Sequence, residues 1–336
     1  MSSILNAFKS KQPFLLFLLP FILITFWYKW LMNPVINIDE SSLMPLSKYL
    51  INSLGDTPVL LGVLSIVTLL ITALLIYYIN DRYSILKTGT SLPSFLYILF
   101  VGCLPSVICF NPAVFASLFI LISLVRILYA YNNHTSIACF FDAGFFVGLA
   151  SVFYFKSIFF IVFVFIGMIS ISRFRFREII AVFMGTALPI VFMWTFFFYT
   201  DNLPAFYSVI NNAYSLTPIC GVPSIYEWIF FAFAISLFVI SLANIFLRSP
   251  IVEVFELKFF TILFWILLFC IMIPIIFKPL GLEVLVLGAI PISFFIGRYF
   301  VLQKHKYIGD ILLVLLLLSV IILQFPDLLK MISSYL

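Results

Sequence analysis

The chain has 336 residues, 65% of them hydrophobic and 9% charged, with a mean hydropathy of +1.26 and a net charge of +5. Soluble proteins carry about 25% charged residues, so this composition excludes a soluble enzyme and predicts an all-α, polytopic membrane protein forming one integral membrane domain over residues 1–336. The five cysteines show no CxxC spacing and read as small hydrophobes, and the positive charge reads as a loop bias rather than a sign of nucleic acid.

At about 20 residues per crossing, charge and turn clusters divide the chain into about eleven spans, near 13–32, 58–79, 92–110, 113–130, 138–155, 157–172, 179–199, 226–247, 258–278, 282–297 and 308–325. The first follows Lys9 and Lys11 and ends in Phe26-Trp27-Tyr28-Lys29-Trp30, which reads as an uncleaved signal anchor with an interfacial aromatic belt. Two external loops, 33–57 and 200–225, are long enough to hold structure. In the second, Phe206, Val209, Ile210 and Tyr214 would fall on one side of a short interfacial helix, the alternative being a plain structured loop.

Orientation follows from counting cations. With the N-terminus in the cytoplasm, 13 of the 18 Lys+Arg residues lie inside, and Lys29, Lys48, Lys156, Lys278 and Lys330 lie outside. Merging 138–155 with 157–172 would bury Lys156 in hydrocarbon and move Arg173, Arg175 and Arg177 to the outer face, so the two segments are separate spans. Gly144 and Gly148 form a GxxxG spacing whose ordinary meaning is close helix packing. Arg126 and Asp142 are placed to pair across neighbouring spans.

Few residues can carry chemistry. Asp39 and Glu40, adjacent in the first external loop, have the chemistry of a general base or of ligands to a divalent cation, and equally of a solvated loop. Lys156, at an external turn between two short helices, suits a phosphate as a point charge or simply snorkels. Glu227 and Glu283 begin the outer ends of their spans, either lining an outer cavity or capping helices.

The stretches Asn111-Pro-Ala-Val-Phe-Ala-Ser-Leu-Phe through Leu124-Val-Arg-Ile-Leu, Asp142-Ala-Gly-Phe-Phe-Val-Gly-Leu-Ala-Ser-Val-Phe-Tyr-Phe-Lys156 and Arg177-Glu-Ile-Ile-Ala-Val-Phe-Met-Gly-Thr-Ala-Leu-Pro189 resemble the membrane core of GT-C fold glycosyltransferases. The whole chain resembles uncharacterised polytopic proteins of the bacterial inner membrane. The GT-C resemblance implies a core over 1–200 followed by C-terminal helices over 201–336. It also implies sugar transfer from a polyprenyl-phosphate donor on the external face, with Asp39 or Glu40 as base or metal ligand and Lys156 against the lipid phosphate. The chain departs from that pattern in having no acidic residue in the next external turn, around Asn111-Pro112, and no large external acceptor domain. The alternative is a non-catalytic scaffold subunit in a membrane protein complex of the envelope. A transporter fits less well, because the sequence shows no inverted repeat and no recurrent midplane charge.

Overall fold

The computed structural model describes residues 14–34, 43–54, 57–87, 89–102, 108, 110–132, 136–214, 225–247, 254–276, 282–303 and 306–324. The helices, in chain order, are α1 (Phe14–Met32), α2 (Pro45–Leu54), α3 (Pro58–Tyr83), α4 (Leu92–Gly102), α5 (Pro112–Asn132), α6 (Ser136–Phe153), α7 (Ile161–Ser170), α8 (Phe176–Tyr199), α9 (Leu203–Tyr214), α10 (Ile225–Leu247), α11 (Val254–Ile276), α12 (Leu285–Leu302) and α13 (Lys306–Gln324). Short 3-10 turns, Phe155–Phe160 and Leu282–Val284, precede α7 and α12.

Among the described residues, eight helices are long and apolar enough to cross a membrane: α3, α5, α6, α8, α10, α11, α12 and α13. The other three expected spans are represented by shorter apolar helices at Leu16–Met32, Leu92–Gly102 and Phe155–Ser170. For the last of these the cause is local. The 3-10 turn that reverses the chain at Lys156 uses six residues, leaving only ten for α7. Of the expected span 92–110, Leu92–Gly102 is helix, and residues 103–107 and 109 lie outside the described residues. A helix is present in the second loop as α9, with Phe206 buried and its ring 5.6 Å from that of Phe197 on α8; the surroundings of Val209 and Tyr214 lie outside the described residues.

Helix directions follow from residue pairing. On α5 and α6, Phe115 meets Phe153, Ser123 bonds Ala143, and Arg126 pairs with Asp142 at 3.3 Å; that order is antiparallel. The pairing of Arg126 with Asp142 is the one expected from the sequence. On α6 and α8 the order is parallel: Ser136 Oγ donates to Glu178 at 3.0 Å, Gly144 meets Val182, and Gly148 meets Thr186. Parallel neighbours require the segment between them to return across the bundle, so 155–170 runs back as a separate leg. The GxxxG expectation is met on this seam. A Cβ on Gly148 would lie 2.6 Å from the Thr186 carbonyl oxygen, and Gly144 and Gly185 sit still more tightly against the backbones of Val182 and Phe141. In a bilayer, where lipid is as apolar as leucine, such backbone approach supplies the packing that joins helices.

These pairings give the bundle two distinct ends. At one, Lys29 of α1 donates to the Gln324 carbonyl of α13 at 2.9 Å, and the Gln324 amide reaches the Gly102 carbonyl of α4 at 3.4 Å. Trp30 covers Gly62 at the start of α3 there, and Leu61 and Phe115, near the starts of α3 and α5, pack with Phe153 at the end of α6. At the opposite end, Arg298 of α12 meets Glu256 in the first turn of α11 through two bonds, Nη1–Oε1 at 3.1 Å and Nη2–Oε2 at 2.6 Å, and also donates to the Ile85 carbonyl at 3.0 Å. Both side chains are almost fully buried. Ser84, in the left-handed conformation at φ 48°, ends α3. Asn80 then fixes the following turn, donating to the Thr90 carbonyl at 2.9 Å and accepting from Leu86 N–H at 3.1 Å. These bonds satisfy backbone groups that a buried turn would otherwise leave unmet.

Candidate functional site

The site is built around the end of α6. The helix stops at Phe153, Tyr154 is extended (φ −139°, ψ 102°), and the 3-10 turn Phe155–Phe160 begins, with Ser157 N–H bonded to the Tyr154 carbonyl at 2.9 Å. This turn carries Lys156 inward to 4% exposure. A buried ammonium requires a counter-charge or hydrogen bonds. Glu283, 1% exposed on the second 3-10 turn, is the carboxylate that acts on it electrostatically. Both turns pack against α11, and the Leu282–Val284 turn also packs against α5. The Lys156 Nζ lies 6.0 Å from the Tyr154 ring centroid, at the outer limit of a cation–π contact.

Two helices from outside the spans flank this turn. The first is α2: Leu43 and Ile51 bury themselves with Leu61, Phe110, Phe115 and Phe153 in a small core of their own. Ser47 Oγ donates to the Phe153 carbonyl at 2.8 Å, three residues before Lys156. The second is α9, which packs against both α8 and the Phe155–Phe160 turn. Sequence reading placed structure in both loops, but α2 itself was not expected. Its signal is the proline at its first position and the amphipathic run Leu46, Leu50, Ile51, Leu54.

The structure thus brings Lys156 and Glu283 together. Glu227, 2% exposed, occupies the first turn of α10, which packs chiefly on the neighbouring α12 and α13. Asp39 and Glu40 lie outside the described residues. Among the described residues no three His, Cys, Asp or Glu side chains gather into a metal-binding group.

Sequence reading missed the Arg298–Glu256 pair, having counted Arg298 only as a cytoplasmic cation. The available signal was an arginine within an otherwise apolar helix, which needs a partner in the bundle. It also missed Asn80, whose role becomes visible only when the turn to Thr90 is closed.

Chemically, Lys156 and Glu283 offer one ammonium and one carboxylate, both buried, where two 3-10 turns meet α11. The ammonium can contact an anion while Glu283 offsets its charge, so further donors must help to hold the anion, and a further group must supply the base for any reaction. No curated protein and no solved structure matches the chain. Residues 46–333 match the family of unknown function DUF6427, and the chain belongs to that family.

Proposed function

We propose that the chain crosses a bacterial inner membrane about eleven times, N-terminus inside, and that its Lys156 end faces outward and binds a polyprenyl-phosphate-linked sugar for transfer. In this reading residues 1–200 form a GT-C-like core and 201–336 the supporting C-terminal helices. The observation that carries it is the convergence at one end of the buried Lys156–Glu283 pair with two short helices, α2 and α9, contributed by separate loops. Orientation is supported by charge: Arg82, Lys87, Arg173, Arg175, Lys258 and Arg298 fall towards the opposite end, as the positive-inside bias requires.

Lys156 would hold the donor phosphate. Asp39 or Glu40, directly or through a divalent cation, would take the proton of an acceptor hydroxyl. The acceptor oxygen forms a bond to the sugar's anomeric carbon, the bond from that carbon to the phosphate oxygen breaks, and polyprenyl phosphate leaves with the electron pair. Glu40 is three residues from Leu43, which is anchored in the small core beside Phe153, so the chain allows it at most about 10 Å from that anchor. Glu227 is the less direct contributor, from the outer start of α10.

Native mass spectrometry of the purified protein with its co-purifying lipids tests this. The wild type is expected to retain a polyprenyl-phosphate-linked sugar that Lys156→Ala loses, while Asp39→Ala/Glu40→Ala retains the lipid and fails to transfer. A scaffold in an envelope complex is the second reading, favoured by α8 and α10, each buried over only 28% of its most apolar stretch and so open to lipid or a partner subunit. Bulk phospholipid alone, together with a stoichiometric membrane protein, would replace the transferase reading with that one.

A further inference from the structure

Two buried donors near the Lys156 turn have no use in the fold. Ser157 follows Lys156 in the same 3-10 turn and is fully buried, and its Oγ has no hydrogen-bond partner among the described residues. Asn111 is also fully buried. Its Oδ1 accepts from Ala113 N–H at 2.8 Å and so starts α5, but its Nδ2 has no partner among the described residues. A buried amide donor left unmet costs about 1–3 kcal/mol, so a partner for it is expected.

The packing sets these donors at the same end of the bundle. Phe110 and Phe115, on either side of Asn111, join ring to ring at 5.9 Å, and Phe115 stacks on Phe153 at 5.4 Å, three residues before Lys156. The turn carrying Glu283 packs against α5, the helix that Asn111 begins. Lys156, Ser157, Asn111 Nδ2 and the positive end of α5 therefore lie at one junction, and Glu283 is the carboxylate among the described residues that acts on Lys156.

We infer that this junction is a binding site for a singly charged phosphodiester, with Asn111 and Ser157 as neutral donors beside Lys156, and that Glu283 sets the charge it accepts. The inference rests on the proposed lipid-phosphate reading and narrows it. Lys156 and Glu283 cancel, so a diester carrying one negative charge is held mainly by hydrogen bonds and the helix terminus. A pyrophosphate brings additional negative charge against Glu283 and is disfavoured by like-charge repulsion.

The test is a titration of the detergent-solubilised full chain with polyprenyl phosphohexose and with polyprenyl pyrophosphate, read by native mass spectrometry. The wild type should prefer the diester, and Glu283→Gln should erase that preference by gaining pyrophosphate affinity. Ser157→Ala should lose roughly tenfold in diester affinity, the worth of one hydrogen bond to a charged group. Asn111→Asp keeps the oxygen that starts α5 and replaces the donor with a negative charge, so it should lose more, at some cost in stability because the new charge is buried; Ser157→Ala buries no charge and should unfold at the wild-type temperature. Diester binding that needs Lys156 but is unchanged in Asn111→Asp and Ser157→Ala would overturn the inference and leave the lipid-phosphate reading standing. Absence of binding to either lipid in the wild type would remove both.

Discussion

Glu256→Ala is expected to lower stability by about 3–5 kcal/mol, because it leaves the Arg298 guanidinium buried without its counter-charge. Arg298 is 2% exposed, and its two bonds to Glu256 and its bond to the Ile85 carbonyl tie α11 and α12 to the turn after α3. Its ring neighbour, Phe260 at 5.9 Å, cannot replace a carboxylate. The partner substitution Arg298→Met should cost a similar amount, since it strands Glu256 instead. Replacing both at once, Glu256→Leu with Arg298→Met, should recover most of the loss, because exchanging a buried pair for apolar side chains is often neutral or better. Denaturant unfolding in detergent measures all three. Single and double variants of equal stability would show that the pair is not the tie described.

The second large effect is expected on the α6–α8 seam. Gly185→Ala places a methyl group against the Phe141 carbonyl and 2.9 Å from the Phe145 nitrogen, and backbone atoms cannot rotate away as side-chain tips can. Overpacking of this kind costs about 1–3 kcal/mol, against a gain of about 0.5–1 kcal/mol for replacing a helix-interior glycine by alanine, so the sum is destabilising. Gly288→Ala provides the contrast. There the nearest atom to an added Cβ is Cys270 Cβ at 3.6 Å, an ordinary contact, so the helix term dominates and the variant should be as stable as wild type or more so. Thermal unfolding of the two variants in the same detergent reads the difference in sign, and a stabilised Gly185→Ala would mean that α6 and α8 are further apart than described.

Composition and charge placement made the membrane class legible, and the fold repaid attention to particular residues. Lys156 divided an apolar stretch too long for one helix, and the structure has α6 before it and the shorter α7 after it, with α6 and α8 parallel. Gly144 and Gly148 announced the seam, but not that Gly185 completes it from the other side, because a spacing on one helix says nothing of its partner. Arg126 and Asp142 were found because they lie on neighbouring spans. Glu256 and Arg298, 42 residues apart in sequence, pair only once α11 and α12 fold back on each other. The span expected at 157–172 was overestimated, because the 3-10 turn Phe155–Phe160 uses residues whose apolar character reads as helix. At the candidate site, Lys156 and Glu283 were each singled out, yet their meeting depends on both 3-10 turns packing against α11, a tertiary fact. Ser157 and Asn111 carried no distinguishing pattern, since a buried, unmet donor is recognisable only when its surroundings are known.

The central claim is that the acidic pair Asp39–Glu40 and the lysine turn share one end of the bundle. Disulfide trapping tests it most directly, in a chain with the native cysteines replaced, carrying Glu40→Cys with Phe155→Cys and an engineered protease site at 133–135. After oxidation and cleavage the two fragments should remain joined on a non-reducing gel, while the control Glu40→Cys with Phe174→Cys, which reaches to the Arg298 end, should separate. Separation of the first pair, or retention of the control, would contradict the account.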